Sequence, residues 1–266
     1  MKIGFIGAGH MAQAIMLGLC QQKYVPAASI LVHSAHKNSY QPFATAHGLT
    51  AVASNAALVN QADLVILAVP AAQTLAIVAE LQPEFTDQPP ILVSVAGGVS
   101  LAQLQENSDS TNLSIVRAMP NVNVAIGQGM TALVTSEATP AADFEQVAHL
   151  FEALGQITPL AEKDFATFSA LAGSSPAYAY LFIDALSRAG VKYGLNKDVA
   201  TKIAAQTVLG SAANVAQSST NPWGLIDQVS SPGGTTVAGL LAMEEAGLMT
   251  AVVKGIDATI AKENTE

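Results

Sequence analysis

Lys2-Ile3-Gly4-Phe5-Ile6-Gly7-Ala8-Gly9-His10-Met11-Ala12 is the stretch that decides the fold of this 266-residue chain. Lys2 to Ile6 read as a short apolar strand, Gly7 to Ala12 spell G-x-G-x-x-A, and Ile15, Met16 and Leu19 then recur at helical spacing. Strand, glycine turn and helix in that order form the setting in which a dinucleotide is cradled. Gly7 permits the tight turn, Gly9 lets the backbone approach a pyrophosphate, and Ala12 lets the helix pack close to the strand. The phosphates would then sit on free N–H groups at the positive end of the helix dipole. The candidate cofactor loop is therefore Ile6, Gly7, Ala8, Gly9, His10 and Met11.

Further apolar runs alternate with helical segments: Ile30–His33, Leu49–Val52, Leu64–Val69, Ile91–Val95 and Ser114–Arg117. Near-continuous apolar strands suit a parallel sheet covered on both faces. The expected fold is α/β, a Rossmann-type doubly wound parallel sheet. In such a site an acidic residue about 20 residues beyond the glycines selects the ribose 2′-hydroxyl of NAD. Here no Asp or Glu precedes Asp63, and the second strand ends in Val32-His33-Ser34-Ala35-His36-Lys37. A hydroxyl, a cation and two imidazoles suit a 2′-phosphate, so NADP(H) is expected over NAD(H), with Ser34, His36 and Lys37 as its candidates. Two later turns, Ala68-Val69-Pro70-Ala71 and Val95-Ala96-Gly97, should complete the groove, because ligands lie beyond the C-terminal ends of parallel strands.

Only 12% of the residues are charged and 50% are hydrophobic, against about 25% charged in an ordinary soluble domain. A membrane span needs about 18 or more predominantly apolar residues; the longest run here, Leu64 to Ala72, has nine. Burial between subunits is the expected use of the excess. The net charge of −9 disfavours nucleic acid, whose phosphates need clustered Lys and Arg. The single cysteine, Cys20, excludes an intramolecular disulfide and a cysteine-based zinc cluster, and no metal site is expected. His10 and Gln13 interrupt the apolar start and Leu19 is not a small residue, so a secretion signal is not expected and a cytoplasmic location is.

From about Leu160 the alternation gives way to helical periodicity. The expected division is a nucleotide-binding domain over 1–160 and an all-helical substrate-binding and dimerisation domain over 161–266. Residues 165–183 and 203–226 contain no charge, which suits helices buried in a homodimer or a larger assembly of dimers. Between them and the C-terminus lies Val229-Ser230-Ser231-Pro232-Gly233-Gly234-Thr235-Thr236. Hydroxyls and free N–H groups converge there on one point at a helix start, which makes an anion receptor. Its donors are neutral, which suits a small carboxylate.

With these residues in view, the sequence resembles the pyrroline-5-carboxylate reductase family along nearly its whole length. The resemblance rests on Gly4 to Ala12, on Val116-Arg117-Ala118-Met119-Pro120-Asn121, on Ala172-Gly173-Ser174-Ser175-Pro176-Ala177-Tyr178, and on Ser230 to Thr236. It implies reduction of 1-pyrroline-5-carboxylate to proline by NAD(P)H. By that resemblance Ser231, Gly233, Gly234 and Thr235 hold the substrate carboxylate, and Thr236, the catalytic candidate, lies near the ring nitrogen. Asn55, Ser34 and the two turns match cofactor positions, while Glu162 and Gln228 match substrate positions. A helix N-terminal charge is the competing reading of Glu162. His10 replaces the usual Asn, Pro70-Ala71 the usual Lys-Pro, and Ser175 the second glycine of Gly-Ser-Gly-Pro. A related imine or hydroxyacid reductase is disfavoured because no lysine follows Gly173 until Lys192. A nucleotide-binding regulator without turnover is disfavoured by the intact segment Ser231 to Thr236.

Overall fold

A computed structural model describes residues 1–86, 88–110 and 112–263. Eight strands form one sheet: β1 (Ile3–Ile6), β2 (Ile30–His33), β3 (Thr50–Ala51), β4 (Leu64–Leu67), β5 (Ile91–Ser94), β6 (Ile115–Pro120), β7 (Gly129–Thr135) and β8 (Gly155–Pro159). Their order across the sheet is β3-β2-β1-β4-β5-β6-β7-β8. Helices α1 (His10–Gln21), α2 (Lys37–His47), α3 (Asn55–Val59), α4 (Ala71–Glu80), α5 (Leu101–Ser108) and α6 (Ala141–Glu152) cover it.

The strands are apolar throughout because their two-residue alternation feeds two cores. Phe5, Val32, Ile66 and Val93 point to one face, where they meet Ile15, Met16 and Leu19 of α1 and Leu150 and Phe151 of α6. Ile6, Leu31, Val65 and Leu92 point to the other, where they meet Leu58 of α3, Val78 of α4 and Leu104 of α5. This is the doubly wound arrangement read from the sequence.

The sheet departs from that expectation at one edge. β6 runs on through Pro120 rather than stopping at Arg117, and β7 pairs with it antiparallel, Val116 opposite Thr135 and Pro120 opposite Thr131. Only the short turn Val122–Ile126 joins the two strands, too short for the crossover that a parallel neighbour needs. β8 then adds parallel to β7.

The described residues pack as two compact units, 1–173 with Glu263, and 174–262. Residues 162–173, which the sequence reading groups with the helical region, pack in the first unit. Phe165 and Phe168, from the one-turn helix α7 (Phe165–Phe168), and Ala172, from the π-helical turn Ser169–Ser174, join Ala132 of β7 in a third apolar cluster. Asn121 fixes this corner. Its amide nitrogen donates to the Ala172 carbonyl (3.0 Å), and its oxygen accepts from Asn123 N–H (3.2 Å) and Met130 N–H (3.3 Å).

The second unit contains α8 (Ser175–Lys192), α9 (Lys197–Gln217), α10 (Pro222–Gln228), α11 (Thr235–Glu245) and α12 (Leu248–Glu263). Asp184 of α8 accepts from Lys197 (2.6 Å) and Arg188 (2.5 Å), and these two bonds hold its carboxyl below the ordinary carboxylate range. Among the described residues of this unit only Ser187, Ala200 and Ala204 are buried, while Leu181 is 70% and Leu209 60% exposed. The unit thus has almost no core of its own. Among the described residues no single helix is long and apolar enough to cross a membrane; α11 and α12 pass that test only together, and they bend by 47° between them.

Candidate active site

The cofactor candidates gather because strand register aligns them. Ile6 lies opposite His33 on one side and Leu67 on the other, and Leu67 lies opposite Ser94. The turns that follow, at Gly7, Ser34, Ala68 and Val95, therefore leave the sheet side by side at its C-terminal edge. Chain direction across the sheet also switches there, between β1 and β4.

Gly7 adopts φ +104°, donates its N–H to the His33 carbonyl (2.8 Å), and would place any Cβ 2.3 Å from the Ala68 carbonyl oxygen. No residue with a side chain fits that turn. At Gly9 a Cβ would meet nothing within 4 Å, so this face of the loop is open to a ligand. Gly9 is also the N-cap of α1 and offers no side chain to the first turn, and no acidic residue sits there. That cradle fits the phosphates of a dinucleotide. Ile6 and Ala8 are buried, His10 is exposed and Met11 half-buried.

Around it, Ser34 is half-buried, His36 is the exposed N-cap of α2, and Lys37 is its exposed first residue. His33, one of the two imidazoles read as phosphate partners, has one ring nitrogen engaged: its Nδ1 donates to the Val52 carbonyl (2.9 Å), which also accepts from the buried Tyr40 hydroxyl (3.1 Å). Asn55 begins α3 with its Oδ1 buried and without a hydrogen-bond partner among the described residues. Such a group costs stability unless a ligand or water satisfies it. Pro70 is the exposed N-cap of α4, Ala71 its exposed first residue, and Ala68 and Val69 are half-buried. On the next turn Val95 is half-buried, Ala96 buried and Gly97 exposed.

In the second unit, the segment before α11 is a glycine turn leading into the helix. Gly233 takes φ +69°, Gly234 donates to the Ser231 carbonyl (2.9 Å), and a Cβ on Gly234 would lie 2.5 Å from Ser231 Oγ. Two adjacent glycines are thus required by backbone geometry and by space. Gly234 is the N-cap of α11 and no side chain caps the helix, while Ser231, Gly233, Thr235 and Thr236 are exposed. Ser230 Oγ just upstream is buried without a partner among the described residues. Gln228 ends α10, exposed.

Glu162 lies in the first unit, where its Oε1 accepts from the Arg117 guanidinium and from Leu101 N–H (2.8 Å). Arg117 carried no role in the sequence reading. The signal was a lone cation inside the apolar run of β6; its partner stands 45 residues on, beyond the reach of local pattern.

Residues 162–265 match the family model described as pyrroline-5-carboxylate reductase dimerisation. Residues 2–98 match one described as NADP oxidoreductase coenzyme F420-dependent. A soybean pyrroline-5-carboxylate reductase is 38% identical over 259 residues, covering 94% of this chain and 92% of the relative. The chain belongs to the pyrroline-5-carboxylate reductase family. Among solved structures of the family, the Streptococcus pyogenes enzyme is 40% identical with a TM-score of 0.86, covering 100% of this chain and 99% of that one. A Plasmodium falciparum pyrroline carboxylate reductase with NADP bound is 28% identical with a TM-score of 0.87, covering 100% and 97%.

Proposed function

We propose that this chain reduces 1-pyrroline-5-carboxylate to L-proline with NADPH, the last step of proline biosynthesis, in the cytoplasm. The observation that carries the reading is the nest at Ser231 to Thr236, an uncapped helix start in which glycines expose neutral donors, in a member of this family. Neutral donors hold a carboxylate without the desolvation cost of burying a counter-charge. Ser231, Gly233, Gly234 and Thr235 take that role, with Gln228 beside them.

The cradle Ile6 to Met11 holds the pyrophosphate on α1. Ser34, His36 and Lys37 receive the 2′-phosphate, and the orphaned Asn55 oxygen accepts from a ribose hydroxyl. The turns Ala68 to Ala71 and Val95 to Gly97 present small residues against which a flat nicotinamide ring rests. When bound, the reduced cofactor supplies a hydride to the imine carbon. The chain's own task is alignment of the bound molecules for that transfer. Thr236 orients the ring nitrogen through its hydroxyl; it is too weak an acid to supply the proton at neutral pH, and water is the source. The exposed apolar helices of the second unit pair with a second copy of the chain.

Initial rates of nicotinamide absorbance loss test this reading. Oxidation should require 1-pyrroline-5-carboxylate and proceed with a higher kcat/KM for NADPH than for NADH. Thr236→Ala should lower kcat by about ten- to a hundredfold, the loss of one well-aligned hydrogen bond in the transition state, with NADPH affinity unchanged. Unaltered turnover in that variant removes Thr236 from the mechanism.

A further inference from the structure

Arg117 is the only charged residue buried among the described ones, 6% exposed on β6. It stands opposite Ser94, the last residue of β5, so its place in the sheet is beside the turn Val95 to Gly97. A buried guanidinium is costly unless it is paired and hydrogen-bonded. Arg117 meets one short segment at two points: it donates to Glu162 Oε1, and its guanidinium lies 4.8 Å from the centre of the Phe165 ring. Leu101 N–H, at the start of α5, donates to the same oxygen (2.8 Å).

Two donors thus fix Oε1, and they leave Oε2 without a hydrogen-bond partner among the described residues. The Glu162 side chain is 33% exposed. With Gly98, Ser100, Arg117 and Phe165 it lines a cavity of about 400 Å³ that starts at Gly98, the residue after the turn. The nicotinamide is proposed to rest on that turn, so the cavity lies where a hydride acceptor must come. The protonated imine is a cation and the better acceptor, and a carboxylate oxygen facing it favours that form. A glutamate side chain has many rotamers to lose before it can act from one position. Arg117 and Leu101 remove that freedom from the side of Oε1.

We infer that Arg117 is a positioning residue for the substrate: by pinning Glu162 Oε1 it presents Oε2 to the protonated ring nitrogen. Arg117 acts through Glu162 and does not itself touch the substrate. This inference rests on the reaction and the cofactor placement proposed above.

A double-mutant cycle on the KM for 1-pyrroline-5-carboxylate, at saturating NADPH, tests it. Glu162→Gln removes the negative charge and should raise that KM about tenfold. Arg117→Met fills a similar volume without donors and should raise it by about the same factor. In Arg117→Met, kcat and the NADPH dissociation constant from fluorescence titration should each stay within about threefold of wild type. In the double variant the rise should remain about tenfold, because residues that act as one unit are not additive. An arginine that merely supports the sheet gives independent effects, which multiply to about a hundredfold. That product, or a wild-type KM in Arg117→Met, overturns the inference. Should Arg117→Met not fold with Glu162 left unpaired, Arg117→Lys replaces it in the cycle, keeping the cation but not the planar fork. Its KM should rise about threefold alone and not at all in the Glu162→Gln background. A wild-type KM in Arg117→Lys, or a rise that persists in that background, overturns the inference equally. A wild type that does not oxidise NADPH with this substrate sinks the functional reading and this inference together; a wild type that turns over, with multiplying effects, sinks this inference alone.

Discussion

Gly9→Asp is expected to abolish NADPH binding while leaving the protein folded. Gly9 sits at φ −73°, ψ −178°, open to any residue, and a Cβ there meets nothing within 4 Å. It is the N-cap of α1, a position at which Asp is favoured over Gly by a few tenths of a kcal/mol. The melting temperature should therefore hold or rise. The new carboxylate, however, stands where the cofactor pyrophosphate is proposed to lie. Two like unit charges about 4 Å apart repel by about 4 kcal/mol near a protein surface, so the dissociation constant should rise at least about a hundredfold. Calorimetric titration with a parallel thermal melt reads both quantities. Unchanged affinity in a folded variant would move the phosphates away from the α1 terminus.

The second large effect concerns the helical unit. With three buried residues among those described and Leu181 and Leu209 mostly exposed, that unit cannot be stable alone. Burying one leucine contributes about 1.5–3 kcal/mol, and a twofold interface counts each leucine twice. The wild type should elute as a dimer or a multiple of one, with a melting temperature that rises with protein concentration. Leu181→Glu with Leu209→Glu should yield monomer or insoluble protein. A wild-type monomer whose melting is independent of concentration would contradict the interface.

Much of this was legible in the chain because it is local. β1 and β2 end at Ile6 and His33 as read, while β4 and β5 end at Leu67 and Ser94, two residues and one residue before the apolar runs Leu64–Val69 and Ile91–Val95 do. Gly233 and Gly234 occupy a turn that needs both, which the Pro-Gly-Gly-Thr-Thr order announces. What stayed hidden depends on distant partners. β7 and β8 have no continuous apolar run, and they exist by pairing in register with β6 and with one another. The bond from His33 Nδ1 to the Val52 carbonyl, 19 residues on, is likewise invisible to local pattern. Residues 162–173 read as helical, and they are, but Phe165 and Phe168 are drawn to the sheet by an apolar cluster that no periodicity reveals.

The charge pattern divides along the same line. The acid-free first 62 residues contain the proposed phosphate cradle, where a carboxylate would repel the ligand; of the uncharged stretches, 203–226 is mostly exposed helix, while 165–183 is divided between Phe165, Phe168 and Ala172, packed in the apolar cluster with Ala132, and the exposed run 177–182.

One isotope experiment goes to the centre. NADPH deuterated at C4 of the nicotinamide is incubated with 1-pyrroline-5-carboxylate and the wild-type protein, and the product is read by mass spectrometry and NMR. Expected is L-proline carrying one deuterium on the former imine carbon and none elsewhere in the ring. A folded protein that binds NADPH yet forms no proline, or proline without that deuterium, would contradict hydride transfer to the imine as the reaction of this site.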